Sequence, residues 1–295
     1  MGGEESVRQS LLEVVNILDE NYSNQPRGIG RHRANRFTIR LRAREQISPE
    51  LKKAMESQIH HIQTHGFPNA FGEQRFGRRN IERAMDFFRL DHIPDPTQHY
   101  HLKLKLQAFP SLYFNQLAVR RYESGDFLVD GDILVHQDEQ GSRQYGVYDD
   151  TKKVVRPFDY AQLKDRYENQ SSFVPENFFD TIDYATERIS TGLMMGGRIL
   201  LAPEETRARA YEDQLLGEAQ FFPLREQLAR AYHLRGHRRP LFVISEDLTY
   251  HREEDDLIIS FTLPVGSYAT VLLGRLFDSI DPETVQQCGW GIEIM

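Results

Sequence analysis

The segment Asn35-Arg36-Phe37-Thr38-Ile39-Arg40-Leu41-Arg42 alternates strictly between two kinds of side chain. Phe37, Ile39 and Leu41 fall on one face, and Arg36, Thr38, Arg40 and Arg42 on the other. That period of two marks a strand with one buried face. Near the C-terminus Leu257, Ile259, Phe261 and Leu263 repeat the alternation, and Pro264 ends it. The two runs are expected to be neighbours in one sheet despite the long stretch of chain between them.

Helices frame these strands. Ser48-Pro49-Glu50 supplies an N-cap, a proline at the first helical position and an acid in the first turn. Leu51, Met55, Ile59 and Ile62 then mark one helical face, and Gly66 closes it. A second helix is expected from Ser267, carrying Tyr268, Val271, Leu272, Arg275, Leu276 and Phe277. The middle of the chain predicts helices near 110–123, 160–169, 204–219 and 222–234, with short strands near 127–135 and 145–148. Residues 5–13 read as helical and Val14–Leu18 as the start of a strand, with the boundary left open. The class is α+β, with a central insertion separating two halves of a sheet.

The 295 residues are 39% hydrophobic and 27% charged, with 18 Phe and 13 Tyr, enough apolar side chain for a sizeable core. The single cysteine, Cys288, allows no internal disulfide. No signal-peptide hydrophobic region opens the sequence, and no apolar run approaches the roughly 20 residues that span a bilayer. A soluble, cytoplasmic protein with no membrane partner is the expectation.

A net charge of −8 argues mildly against a nucleic-acid partner. The average conceals a pattern, because of 36 basic residues only seven are Lys and 29 are Arg, and the arginines cluster. Seven lie between Arg27 and Arg44 with no acid among them: Arg27, Arg31, Arg33, Arg36, Arg40, Arg42 and Arg44. Arg75, Arg78, Arg79 and Arg83 form a second group, and Arg235, Arg238 and Arg239 a third. A guanidinium offers a planar fork of donors that suits phosphate and stacks on bases. A polyanion-binding face on an acidic body is one reading; a surface that merely prefers Arg to Lys is the other.

Other constellations carry less. His61 and His65 have metal-compatible spacing but no Glu in a His-Glu-x-x-His pattern and no third ligand, so a surface pair is expected. His99 and His101 read as exposed. Glu253-Glu254-Asp255-Asp256 lacks the glycine and spacing of a calcium loop and reads as a solvated turn. No phosphate-binding or dinucleotide glycine loop and no Gly-x-Ser-x-Gly elbow occurs.

The most specific segment is Gly66-Phe67-Pro68-Asn69-Ala70-Phe71-Gly72-Glu73-Gln74-Arg75-Phe76-Gly77. Its glycines, proline and phenylalanines suggest neither helix nor strand. It is either an aromatic-packed loop seating one domain on another, or a loop presenting backbone N–H groups, Gln74 and Arg75 to a phosphate or sugar. This run closely resembles the signature loop of the tRNA pseudouridine synthase D (TruD) family. Asn35-Arg36-Phe37 resembles that family's second conserved strand. Leu112-Tyr113-Phe114-Asn115-Gln116 and Asp130-Gly131-Asp132 resemble landmarks of its insertion. Thr191-Gly192, Gly196-Gly197-Arg198, Arg235-Gly236-His237-Arg238-Arg239-Pro240 and Leu263-Pro264-Val265-Gly266-Ser267-Tyr268-Ala269-Thr270 continue the match in order, from about residue 14 to the end.

The resemblance implies isomerisation of a uridine in RNA: the uracil is detached, rotated and rejoined through carbon, in a pocket that receives a flipped-out base. It implies a partial pseudouridine-synthase mixed sheet, residues 1–65 and 243–295, with an inserted TRUD-type α/β domain at 66–242. Asn35 takes the position of a substrate-contacting amide, and Phe37 and Tyr268 those of rings that stack on or enclose the base. Core packing is the competing reading for both rings. Arg36, Arg40 and Arg75 would contact phosphates. The partner is a tRNA or another structured RNA, and neither metal nor organic cofactor is expected.

One departure matters. The family's aspartate lies in Gly-x-Lys-Asp followed by Ala-x-Thr-x-Gln, and no such motif occurs; the sole Lys-Asp pair is Lys164-Asp165, read as a solvated helix. Three explanations stand: an incomplete reading frame of a synthase, a natural short form that binds RNA without isomerising it, or a carboxylate supplied otherwise. Losing half of a mixed sheet would expose its edges, so self-association is expected. A protein-interaction domain whose arginines meet acidic partners is the remaining class.

Overall fold

The computed structural model describes residues 34–42, 48–77, 79–88, 105–137, 143–157, 172–173, 189–219, 232, 234, 236–245, 247–253, 256–277 and 291–294. The chain divides into units Met1–Arg33 and Ala34–Met295, and all that follows concerns the second. In order, its elements are β1 (Ala34–Arg42), α1 (Pro49–His65), β2 (Phe67–Pro68), α2 (Glu73–Phe76), α3 (Asn80–Phe88) and α4 (Ala108–Glu123). Then come β3 (Ile133–Gln137), β4 (Arg143–Asp149), β5 (Val154–Pro157), β6 (Ser172–Phe173), β7 (Ile189–Met194), β8 (Ile199–Leu200) and α5 (Arg207–Ala219). The chain continues through β9 (His237–Pro240), β10 (Phe242–Val243), β11 (Thr249–Glu253), β12 (Asp256–Pro264), α6 (Ala269–Phe277) and β13 (Gly291–Ile294). The mixed helix and strand content is α+β, as the sequence pattern predicts.

The two alternating runs pair directly. β1 and β12 are antiparallel, in a register that sets Phe37 opposite Phe261, Ile39 opposite Ile259 and Leu41 opposite Leu257. The sheet order is β11-β12-β1-β13. Its apolar face is covered by α1 and α6, so Met55, Ile59, Ile62, Leu272, Leu273 and Leu276 join the strand residues in one core. Each such side chain contributes about 1.5–3 kcal/mol on burial. On the opposite face Thr38 and Ser260 are hydrogen-bonded across the pair at 3.2 Å.

A second sheet, β5-β4-β3-β7-β9, is antiparallel throughout and packs beside α4. Its centre is tied by ions as well as by apolar side chains. Arg121 and Asp132, 2% and 1% exposed, form a two-pronged pair at 2.9 and 2.7 Å. Arg121 Nε also donates to the Asp126 carbonyl, and Asp132 accepts from Val129 N and Ser190 Oγ. Gly131 enters this turn at φ +81°, where a Cβ would stand 2.1 Å from Thr206 Oγ1, so only glycine fits.

Several expectations change. The 66–77 run is not wholly irregular: Phe67 and Pro68 pair with Val243 and Phe242, and Glu73–Phe76 make one helical turn between Gly72 and Gly77. The strand expected from 127 begins at Ile133, because residues 127–132 are drawn into the turn around Asp132. The helix expected from 204 starts at Arg207, capped by the Thr206 hydroxyl on Arg209 N. The last helix starts at Ala269 rather than Ser267, with the Tyr268 carbonyl accepting its first hydrogen bonds. Of the acidic run, Glu253 and Asp256 are not merely solvated, since both grip Arg40. β7 and β9, unread in the sequence, are strands of the second sheet, β7 between β3 and β9 and β9 at its edge. The stretches 5–18 and 160–169, most of 222–234, His99, His101 and Lys164–Asp165 lie outside the described residues.

His61 and His65 stack at 4.5 Å, His65 lies on Phe127 at 5.5 Å, and the Tyr122 edge closes the group. Burial, with His65 adding repulsion, lowers the His61 pKa below its ordinary 6.5. The unfolded chain therefore binds the proton more readily, and this contribution to stability is present above pH 6.5 and lost as pH falls through the folded pKa. Replacing His61 by Phe should shrink the fall in melting temperature between pH 7 and pH 5. Replacing Asp132 by Ala should lower unfolding free energy by about 3–5 kcal/mol, since it strands a buried guanidinium; denaturant titration with an unchanged slope checks this.

Candidate functional site

Three motifs that are distant in sequence converge on the 66–77 segment. Asn69 is buried and its amide makes three hydrogen bonds: Nδ2 donates to the Pro240 carbonyl at 3.0 Å, and Oδ1 accepts from Arg239 Nη2 at 2.8 Å and Ser267 Oγ at 3.0 Å. Arg239 also donates to the Asn69 carbonyl and, at 2.8 Å, to that of Gly266. Asn115 of α4 clamps the Phe71 peptide, accepting from its N–H at 2.7 Å and donating to its carbonyl at 2.9 Å. Arg75 donates to Ser111 Oγ and Gln107 Oε1. The first reading of the segment, a loop that seats one part of the molecule on another, is thus realised through hydrogen bonds as much as through aromatic packing.

Phe71 is the platform. The Arg239 guanidinium lies 4.1 Å from its ring centroid, that of Arg75 5.2 Å, and the Tyr268 ring is 6.0 Å away. Gly72 permits this closeness, because a Cβ there would meet Thr270 Oγ1 at 3.0 Å and the Tyr268 ring at 3.1 Å. Burial lowers the Arg239 pKa to about 10; the neighbouring Arg75 adds to the shift and Tyr268 opposes it. Burial lowers that of Arg75 as well. Both remain cationic at neutral pH, and every hydrogen-bond acceptor they meet is uncharged.

A cleft of about 410 Å³ adjoins this node, and its lining includes Asn69, Arg238, Arg239 and Ser267 together with apolar side chains such as Ile189, Phe242, Ile244 and Val265. None of Asn35, Phe37 and Tyr268 lines it. Asn35 is exposed near the start of β1, opposite Leu263. Phe37 is half-buried and stacks on Phe261 at 5.3 Å, packed against the main core. Tyr268 is half-buried beside Phe71 and Gly72. β12 links these places: it pairs with β1 at Asn35 and runs through Pro264 into the segment that ends at Tyr268.

The arginines sort into classes that the sequence did not separate. Arg36 is exposed with no partner among the described residues. Arg40 is held at 2.6 Å by Glu253 and 2.9 Å by Asp256, which also reaches Arg42 at 3.6 Å. Arg238 is 4% exposed and paired with Glu212, so it belongs to the interior and not to a polyanion-binding face. Arg239 is the residue whose importance the cluster reading missed; the signal was its place beside Pro240 in a motif, not its charge. Arg27, Arg31, Arg33, Arg44, Arg78 and Arg235 lie outside the described residues. Among those described, no helix is long and apolar enough to cross a membrane.

A sequence model of the family described as tRNA pseudouridine synthase D (TruD) matches residues 2–86 and 98–276. The tRNA pseudouridine synthase D of Aeromonas hydrophila is 27% identical over 279 residues, covering 90% of this chain and 66% of the relative. That of Xanthomonas campestris (strain B100) is 28% identical over 288 residues, covering 92% and 68%. The chain therefore spans about two thirds of the length of the curated relatives it matches. A crystal structure of a Methanosarcina mazei protein assigned as tRNA pseudouridine synthase D (TruD) shares the fold, with a TM-score of 0.59 and 17% identity over 93% of this chain and 76% of that one.

Arg239→Lys should lower stability by about 2–3 kcal/mol, because an ammonium cannot serve Asn69 and Gly266 together while lying flat on Phe71. Arg36→Ala should change it by no more than about 0.5 kcal/mol. Thermal unfolding of the two variants tests the contrast.

Proposed function

Because this chain belongs to the tRNA pseudouridine synthase D (TruD) family, we propose that it binds a tRNA or another structured RNA and serves the conversion of a uridine to pseudouridine. The observation that carries this reading is the Asn69–Arg239–Gly266 node, which joins the signature loop, the 235–240 motif and the 263–270 motif and sets Tyr268 beside them. In this reading Tyr268 stacks on the flipped base, a contact worth about 1–3 kcal/mol. Asn35 reads the nucleotide edge with its free amide, and Phe37 supports that amide from the same side of β1.

Arg36 is the phosphate contact best supported by its exposure. Arg40 contributes less net charge, since two carboxylates already face it. Arg75 acts through the positive potential it adds next to Tyr268. The catalytic sheet comprises 1–65 and 243–295 and the inserted domain 66–242, in a cytoplasmic protein that self-associates through its sheet edges.

A second reading, RNA binding without isomerisation, is favoured by one sequence observation: no Gly-x-Lys-Asp followed by Ala-x-Thr-x-Gln occurs in the 295 residues. Incubating unmodified tRNA with stoichiometric protein separates the two. The first reading expects pseudouridine by mass-spectrometric nucleoside analysis, whereas bound but unmodified RNA establishes the second. Both expect affinity to fall steeply with salt and Arg36→Ala to weaken binding of every RNA tested. Affinity that is indifferent to salt rejects both.

A further inference from the structure

Arg239 is mostly buried yet faces no carboxylate among the described residues. Its Nε and Nη2 are committed to Asn69 and Gly266, while its Nη1 makes no hydrogen bond. That atom is not sealed in the interior, because the one fully buried side-chain N or O atom without a partner among the described residues is Gln116 Oε1. Arg75 adds a second positive charge that pairs with no carboxylate among the described residues. A buried cation costs free energy unless an anion answers it, and Nη1 is the donor left to meet one.

The adjoining cleft says what that ligand is. Arg239 is in its wall, and so are three of the exposed large hydrophobic side chains, Ile189, Ile244 and Val265, at 39%, 51% and 42%. Exposed aliphatics gathered in one concave place mark a binding surface rather than scattered surface residues. The volume of about 410 Å³ falls in the range of small-molecule sites and is ample for one nucleotide. Asn69 and Ser267 border it and already bond within the node, Ser267 Oγ to Asn69 Oδ1 and Asn69 Nδ2 to the Pro240 carbonyl, and His237 is exposed. Arg238 also lines the cleft but is paired with Glu212, so Arg239 is the arginine left to hold a phosphate, with aliphatic side chains beside it for a flat, weakly polar ring.

We propose that this cleft is a second nucleotide subsite, which holds one nucleotide of the bound RNA other than the target uridine, its phosphodiester on Arg239 Nη1 and its base against Ile189, Ile244 and Val265. The proposal rests on the RNA-binding reading and adds to it a place distinct from the position of Asn35, Phe37 and Tyr268. It fixes the path of the strand: a nucleotide near the target is drawn out over the junction between the β9–β10 segment and the end of β12.

The test uses the full chain with ¹³C-labelled Ile and Val methyl groups. Adenosine 5′-monophosphate should shift the Ile189, Ile244 and Val265 methyl signals, and adenosine lacking the phosphate should bind about tenfold more weakly. Ile244→Asp, at a position 51% exposed, should weaken both the mononucleotide and a labelled tRNA about tenfold, with an unchanged melting temperature. Three results overturn the proposal: methyl signals that do not move at millimolar nucleotide, equal response to adenosine and its monophosphate, or tRNA affinity within about twofold of the parent in Ile244→Asp. In the last case the RNA-binding reading stands and the subsite falls. Nucleotide binding by a chain that binds no tRNA overturns the RNA occupant and the parent reading together.

Discussion

A single guanidinium holds the signature loop to the end of β12. Arg239 stacks on Phe71 while donating to Asn69 and Gly266, so segments near residues 70, 240 and 266 meet around one planar cation. A cation–π contact in a desolvated place is worth about 2 kcal/mol or more, and the fork of donors adds direction that an apolar contact lacks. The position of Tyr268 follows from this arrangement. Its ring can reach Phe71 only because the 263–270 segment is held at Gly266 and because Gly72 has no side chain to keep it away.

The fate of the other arginines shows why clustered basic residues are a poor map of surface charge. Arg238 and Arg239 are adjacent in sequence, yet one is neutralised by Glu212 in the interior while the other pairs with no carboxylate among the described residues. Strand geometry explains the split, since successive side chains of β9 point to opposite faces. Arg40 illustrates a second effect: the acids that neutralise it lie more than 200 residues away in sequence and become neighbours only through sheet register.

Legibility followed the range of the interactions. The α1 boundaries and the β1–β12 pairing were readable, because capping residues act locally and the alternation of Phe37, Ile39 and Leu41 demands an apolar partner face, which Leu257 to Leu263 supply. The starts of β3 and α6 were misplaced by a few residues, since the Asp132 turn and the Gly266 anchor depend on Arg121 and Arg239, which no local pattern links to them. β7 was missed because its Ser190, Thr191 and Gly192 look like a turn. In the fold Ser190 and Thr191 satisfy Asp132 and Arg238, and Gly192 leaves room for Leu241 and Phe114. At the candidate site the motif residues were legible, but not that Asn69 and Arg239 would be its keystone.

The pairing of Thr38 with Ser260 spans 222 positions along the chain, and this has a bearing on biogenesis. A ribosome adding about 5–20 residues per second leaves the β1 ridge of Phe37, Ile39 and Leu41 without its mate for some 10–40 s after it emerges. Everything from α1 to β11 is synthesised in that interval. The intervening sheet, knit by neighbouring strands, is able to mature while the terminal halves wait, so the nascent chain carries an adhesive apolar stripe that chaperones are well placed to shield until β12 arrives.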